Sequence, residues 1–339
     1  MDGILIVNKE AGFTSHDVVA KLRGILHQKK IGHTGTLDPQ AQGVLPVCLG
    51  KATKVSSLLT DTDKAYEATL LFGLVTDTQD AQGRVLAATP DFSAWREKDQ
   101  GAEHTLHAWE LEGWDTASAA DVTVYHTGIS ELTEDGVREL IKSFIGRSEQ
   151  IPPMYSAKKV DGKKLYELAR EGKEVERKPA TIEIRNITIQ SMELPRVRIL
   201  VECSKGTYIR TLCHDIGQKA GCGAIMESLL RVRSGRFSLP EAKKLAEIKQ
   251  MQEEGRLEEC LIPVDQIFED CPKGVVEEAH IVAVANGNRL QRDWLRLEQE
   301  NAGEGKDEMY RIYDAEGRFY GLYEPASESG FLKPRQMFI

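Results

Sequence analysis

The sequence of 339 residues is short of the features that assign a protein quickly. It has no apolar run near the roughly 20 residues that span a bilayer, so no transmembrane helix is expected. The opening MDGILIVNKEAG carries no basic leader and no small-residue cleavage site, which argues against a signal peptide and for a cytoplasmic protein. The six cysteines never fall into a C-x-x-C pair, so free thiols are favoured over a disulfide framework or a zinc site. Of eight scattered histidines only His104 and His107 are close neighbours, and a solvated loop is preferred there over a metal site. No lysine followed by serine or threonine comes after the glycines of residues 32–46, which removes a P-loop, and no serine–histidine pair lies near that stretch to suggest a hydrolytic triad. No metal and no cofactor are expected.

Positive charge is scarce in sum but not in distribution. The net charge is −9, and residues 91–140, with 12 acidic and 3 basic side chains, account for the whole excess. Residues 1–60 hold 7 basic and 4 acidic groups, and residues 151–240 hold 17 basic and 10 acidic ones. Two basic blocks flank an acidic one, which allows a local polyanion-binding surface. The length exceeds the roughly 100–200 residues of one domain. Two domains are expected, 1–260 and 261–339, with Leu261-Ile262-Pro263 as the boundary zone.

What is present alternates between strand and helix without a regular βαβ rhythm, so the fold class is α+β. Residues 3–9 read as a buried strand, and Thr14 or Ser15 caps a helix carrying Val18, Val19, Leu22, Ile25 and Leu26 at helical spacing. Further helices are expected over 51–59, 130–144 and 241–259, and strands over 65–74, 181–189 and 196–203. Residues 91–128 read as an acidic insertion, either a mobile arm or a small docked element. Residues 311–323 give a hairpin signal around Asp314-Ala315-Glu316-Gly317, and with residues 279–287 suggest a small β-rich C-terminal domain.

One stretch collects turn formers around a single carboxylate: GHTGTLDPQAQGVLP, residues 32–46. Pro39 disfavours helical backbone at Asp38, so the aspartate is held extended, and Gly32, Gly35 and Gly43 allow close approach. Alone, this is ordinary turn chemistry. A second stretch, SKGTYIRTLCHDIGQKAGCGA, leaves a strand, turns at Gly206 and places Arg210 in the first turn of a helix, where the dipole disfavours a cation and asks for an anion. A third, DTDKAYEATLLFG, opens a strand with Tyr66, either half-buried core or a stacking platform for a base. Lys158, Lys159, Lys163 and Lys164 with Tyr155 and Tyr166 form either a solvated face or a phosphate track.

These blocks, in their order along the chain, resemble the bacterial tRNA pseudouridine synthase family that modifies uridine 55 of the T loop. The matching stretches are GILIVNKEAGFTSHDVV, KIGHTGTLDPQAQGVLPVCLGKATK, DKAYEATLLFG with TDTQDAQG, QIPPMYSAKKVDGKKLYELAREG, VECSKGTYIRTLCHDIG and LLRVRSGRF. They cover most of residues 3–90 and 130–240. The resemblance implies an isomerase with a central mixed, largely antiparallel sheet flanked by helices and loops, acting as a monomer on tRNA by flipping the base. It implies that Asp38 is the catalytic aspartate, Tyr66 stacks on the uracil, Arg210 pairs with Asp38, Leu229 lines the pocket and His33 helps occupy the T loop. Tyr208 and Lys9 are further substrate-binding candidates in the same blocks. The tail from about Leu261 is similar to a small β-barrel (PUA-like) RNA-binding domain. Two departures stand out: the acidic insertion is longer than usual, and Glu10 replaces a common proline. The insertion's charge should turn it away from RNA. A non-catalytic tRNA-binding or folding protein is the alternative reading, and a small-molecule hydrolase using Asp38 a weaker third.

Overall fold

The structure, a computed structural model, describes residues 1–92, 94–95, 123–125, 127–160, 162–173, 175–298 and 309–339. Most of the acidic insertion, with His104 and His107, lies outside the described residues. Ten strands form one sheet: β1 (Gly3–Lys9), β2 (Ile31–His33), β3 (Gln42–Leu49), β4 (Lys64–Phe72), β5 (Gly146–Gln150), β6 (Ala180–Glu193), β7 (Arg196–Cys203), β8 (Ala224–Ser234), β9 (Phe237–Ser238) and β10 (Leu261–Ile262). Across the sheet the order is β10-β1-β3-β8-β4-β7-β6-β5, with β2 beside β3 and β9 beside β8. The sheet is mixed and largely antiparallel: β3 and β8 run parallel, joined at Gln42–Leu230 and Gly43–Arg231, while the other neighbours are antiparallel.

Both faces of the sheet are covered. Leu5, Val7, Leu45, Val47, Ala68 and Leu70 point to one core, closed by α1 (Ser15–Leu26), α2 (Glu134–Lys142), α3 (Ile209–Ala220) and α4 (Leu245–Glu253). Ile4, Ile6, Val44 and Cys48 point the other way, against Val264, Phe268, Leu322 and Phe338 of the C-terminal region. A strand buried on both faces reads as an unbroken apolar run, which is why residues 3–9 and 43–49 show no polar alternation. α1 starts as its sequence suggests: Thr14 Oγ1 accepts the Asp17 N–H at 3.0 Å, and the Asp17 carboxylate accepts the Thr14 N–H at 2.8 Å.

Several expected elements shift for local reasons. The strand expected over 65–74 breaks at Gly73, whose φ of +95° separates β4 from a short strand Leu74–Thr76. The helix expected from residue 130 begins at Glu134 under a Thr133 cap. Asp91 explains the delay: its carboxylate takes the amides of Ile129 at 3.0 Å and Ser130 at 2.9 Å, fixing a 3₁₀ turn, Ile129–Glu131, before the helix. Burial pushes the Asp91 carboxyl up, yet the Ser130 and Ile129 amides hold it at about 2. Residues 51–59 become a 3₁₀ turn, Gly50–Val55, followed by one helical turn, Ser56–Thr60. The valine-rich residues 279–287 are helical over Ile281–Ala285 rather than extended; Val284 is buried and Val282 exposed, as one-sided helical packing requires.

The C-terminal strands Lys273–Val276, Leu290–Gln291, Leu295–Leu297, Tyr310–Tyr313, Phe319–Pro325 and Phe331–Met337 form a nearly closed six-strand barrel, including the expected hairpin around residues 314–317. β10 pairs with β1 and so belongs to the large sheet. Among the described residues no helix is long and apolar enough to cross a membrane.

Candidate active site

The turn-forming stretch divides in the folded chain. Residues 32–33 finish β2 and residues 42–46 begin β3, because the apolar run Val44, Leu45, Val47 is buried against β1; only residues 34–41 form the loop. That loop is tied at four points. Thr34 N–H donates to the Pro46 carbonyl at 3.0 Å, and Leu37 N–H donates to Ser15 Oγ at 2.9 Å. The Gly12 N–H and the Lys9 ammonium both donate to the Pro39 carbonyl, at 3.0 and 2.9 Å. Lys9 is fully buried, and its other donors go to the carbonyls of Glu10 at 3.1 Å and Phe13 at 2.5 Å. Burial lowers its pKa to about 8, with the neighbouring Asp38 charge opposing the fall. Asp38 therefore sits on a braced backbone with its carboxylate 38% exposed, at the open side of the loop.

Behind that carboxylate lies Arg210. It stands in the first turn of α3, nearly inaccessible, with Nε 2.9 Å from Asp38 Oδ2 and Nη2 3.3 Å from Asp38 Oδ1. The fork is filled by the carbonyls of Tyr155 at 2.7 Å and Thr78 at 3.0 Å, and by Asp80, whose Oδ2 is 3.6 Å from Nη1. The anion that the helix dipole called for is thus doubled, one carboxylate 38% exposed and the other 16%. Asp80 is itself held by the Thr78 hydroxyl at 2.6 Å and the Gln82 amide at 3.0 Å. Burial pushes its carboxyl above the ordinary range against the downward pull of Arg210. Gln79, between these acceptors, takes a left-handed φ of +62° and accepts the Thr211 hydroxyl at 3.0 Å, so the 76–83 turn is clamped to α3.

Tyr66 lies in β4, 9% exposed, opposite Arg231 of β8. Burial pushes its phenol up, while the charge of nearby Arg231 pulls it down. Leu229, two residues before Arg231, is half-buried against the same core. Tyr208 precedes α3 and is locked by Gln150, whose side chain accepts the Tyr208 N–H at 2.8 Å and donates to its carbonyl at 3.0 Å. His33 ends β2; burial and nearby Arg231 lower its pKa, so the ring is neutral at physiological pH, and its Nδ1 is buried without a hydrogen bond. Of the residues singled out in the sequence, the structure joins Asp38 to Arg210 directly and to Lys9 through Pro39. Among the described residues no hydrogen bond joins His33, Tyr208 or Leu229 to Asp38.

A partly exposed carboxylate braced by a buried guanidinium is equipped for acid–base or nucleophilic chemistry on a substrate held from outside. Comparison with known proteins narrows this. A family model described as TruB family pseudouridylate synthase, N-terminal domain, matches residues 23–110 and 108–209, and the tRNA pseudouridylate synthase B C-terminal domain model matches residues 210–269. The chain belongs to the TruB family of pseudouridylate synthases. Among its TruB relatives, tRNA pseudouridine synthase B of Lachnoclostridium phytofermentans is 45% identical over 100% of both chains. The protein of the same name from Clostridium acetobutylicum is 39% identical over 98% of each. A solved H/ACA RNP bound to a substrate RNA containing 2′-deoxyuridine superposes with a TM-score of 0.64 at 23% identity, over 99% of this chain and 85% of that one, and shares the fold. The TruB fold here is the expected one, a largely antiparallel mixed sheet with a PUA-like barrel.

Two residues of this TruB site were not singled out in the sequence, Asp80 and Arg231. Both lie inside matching blocks, TDTQDAQG and LLRVRSGRF, but an aspartate in a polar turn and an arginine in a strand carry no signal of burial. The missing clue was long-range: Asp80 reaches Arg210 across 130 residues of sequence.

Proposed function

We propose that this enzyme isomerises uridine 55 in the T loop of tRNA to pseudouridine, in the cytoplasm and as a monomer, with Asp38 as the catalytic carboxylate. The observation that carries the reading is the Asp38–Arg210 pair: an exposed carboxylate, held on a braced loop and aimed by a guanidinium that is 5% exposed. A uridine stacked inside a loop cannot meet such a group, so it is flipped out at a cost of a few kcal/mol, and the Tyr66 ring replaces the lost stacking. The N1–C1′ bond then breaks, the uracil turns, C5 bonds to C1′, and the proton lost from C5 is balanced by one gained at N1. Arg210 keeps Asp38 aimed throughout, and Asp80 keeps Arg210 aimed. Lys9 holds the Pro39 carbonyl and so the direction of Asp38; Leu229 and Tyr208 wall the pocket, and neutral His33 meets the displaced T-loop nucleotides.

The relatives' name, tRNA pseudouridine synthase B, supports tRNA as the substrate. The basic block over residues 151–240, with its exposed Lys158 and Lys159, suits the phosphate backbone. Incubating the protein with an unmodified tRNA transcript and mapping pseudouridine tests the proposal. Product at the T-loop uridine is expected; binding without product anywhere would favour the non-catalytic tRNA-folding alternative.

A further inference from the structure

Gln150 ends β5 with its side chain buried, and both ends of its amide meet the backbone of one residue in another element. Its Oε1 accepts the Tyr208 N–H at 2.8 Å and its Nε2 donates to the Tyr208 carbonyl at 3.0 Å, the exchange that paired strand residues make through their backbones. Tyr208 is where α3 starts. It has no side-chain cap, and its carbonyl also accepts the Leu212 N–H at 3.1 Å, the first bond of the helix. Five residues after Gln150, the same segment meets α3 again. The Tyr155 carbonyl accepts from Arg210 Nη2 at 2.7 Å, and this nitrogen also donates to Asp38 Oδ1 at 3.3 Å. Between the two contacts stand Pro152 and Pro153, both buried, whose rings fix φ and remove two backbone donors. Arg177 Nη1 donates to the Pro152 carbonyl at 3.2 Å, so the middle of the segment is held as well.

We infer that Gln150 is a positioning residue for Arg210: through Tyr208 it sets the start of α3, and through the stiff 150–155 strap it sets the Tyr155 carbonyl that turns the Arg210 fork toward Asp38. A guanidinium is planar, so an acceptor 2.7 Å from Nη2 fixes the plane in which Nε and Nη2 reach the two carboxylate oxygens. The strap is anchored at both ends to residues only two apart, Tyr208 and Arg210, so a shift at Gln150 is passed to the fork. The consequence for the reaction rests on the function proposed above; the strap itself does not.

The deciding variant is Gln150→Glu on the full chain, because it keeps the shape and makes the bonding depend on protonation. The ionised carboxylate still accepts the Tyr208 N–H but cannot donate to the carbonyl; the protonated acid can, as the amide does. Burial raises the pKa of such a carboxyl. With an unmodified tRNA transcript, its single-turnover rate near pH 8 should lie at least about 30-fold below the parent, and near pH 5.5 within about 3-fold of it. Affinity for tRNA should stay within about 2-fold of the parent at both pH values, a split that general loss of structure does not produce. A folded Gln150→Glu protein with parental turnover near pH 8, or with a deficit unchanged near pH 5.5, overturns the inference. A second measurement needs no turnover. Gln150→Met should lower the folding equilibrium constant in urea about 30-fold in the parent, and no more than about 10-fold in the Arg210→Met background, where the Tyr155 anchor is already lost. Additive effects overturn the strap even if Gln150→Glu does not fold. A parent that makes no pseudouridine but shows this coupling removes the functional reading and leaves the strap standing.

Discussion

Replacing Arg210 by methionine probes the centre of the site through stability, independently of any substrate. The side chain is 5% exposed and serves two carboxylates and two carbonyls, so its removal leaves Asp80, 16% exposed, without a counter-charge. Breaking a buried pair costs about 3–5 kcal/mol. Asp38 is 38% exposed and can be hydrated, and the Asp80 contact of 3.6 Å is longer than a direct hydrogen bond, so the lower end, about 3 kcal/mol, is expected. The pH dependence follows from Asp80. Burial has raised its folded pKa above the unfolded value, so its contribution to stability falls as pH rises through the folded pKa, and losing Arg210 raises that pKa further. Urea denaturation of parent and variant, compared at each pH so that shared titrations cancel, should show about 3 kcal/mol lost near pH 8 and clearly less near pH 5.5. Adding Asp80→Asn to the variant should recover about half of the loss. An equal penalty at both pH values, or a double variant that loses the full sum, would refute the role given to Asp80.

Other consequences are as specific. Asp215, on α3, is pushed up to about 6 by burial, so it opposes folding at neutral pH, and the penalty fades as pH falls below the folded pKa toward the unfolded one. Asp215→Asn should therefore stabilise by about 1–2 kcal/mol at pH 7, allowing for partial exposure, with the gain vanishing near pH 4 in thermal unfolding. Gly43, at φ +103°, has the Arg231 carbonyl where a Cβ would stand, so Gly43→Ala should cost at least about 2 kcal/mol in denaturant. Gly12, at φ +85° with nothing within 4 Å, should lose only the left-handed strain of about 1–2 kcal/mol as Gly12→Ala.

The sequence made legible those parts of the molecule whose physics is local. β1 and β7 matched their expected ranges because each is a compact strand-forming run, and the Thr14 cap with Asp17 fixed the start of α1. The dipole conflict at Arg210 pointed to an anion without saying where it came from. What the chain did not display were the long-range decisions: that Asp91 would capture the amides at 129–130 and delay α2, that the valines at 282 and 284 would be split between solvent and core, and that Arg231 would be buried between β3 and β4. A turn residue becomes half of an ion pair only when α3 is packed against it, as Asp80 shows.

The most direct measurement takes Asp38→Asn into the transcript assay beside the parent. The carboxylate is exposed and its backbone is braced by other residues, so the amide should preserve fold and tRNA affinity while T-loop pseudouridine formation falls by at least about 10³-fold. A variant that retains near-parental turnover, or a parent that yields no pseudouridine from an unmodified tRNA, would contradict the account.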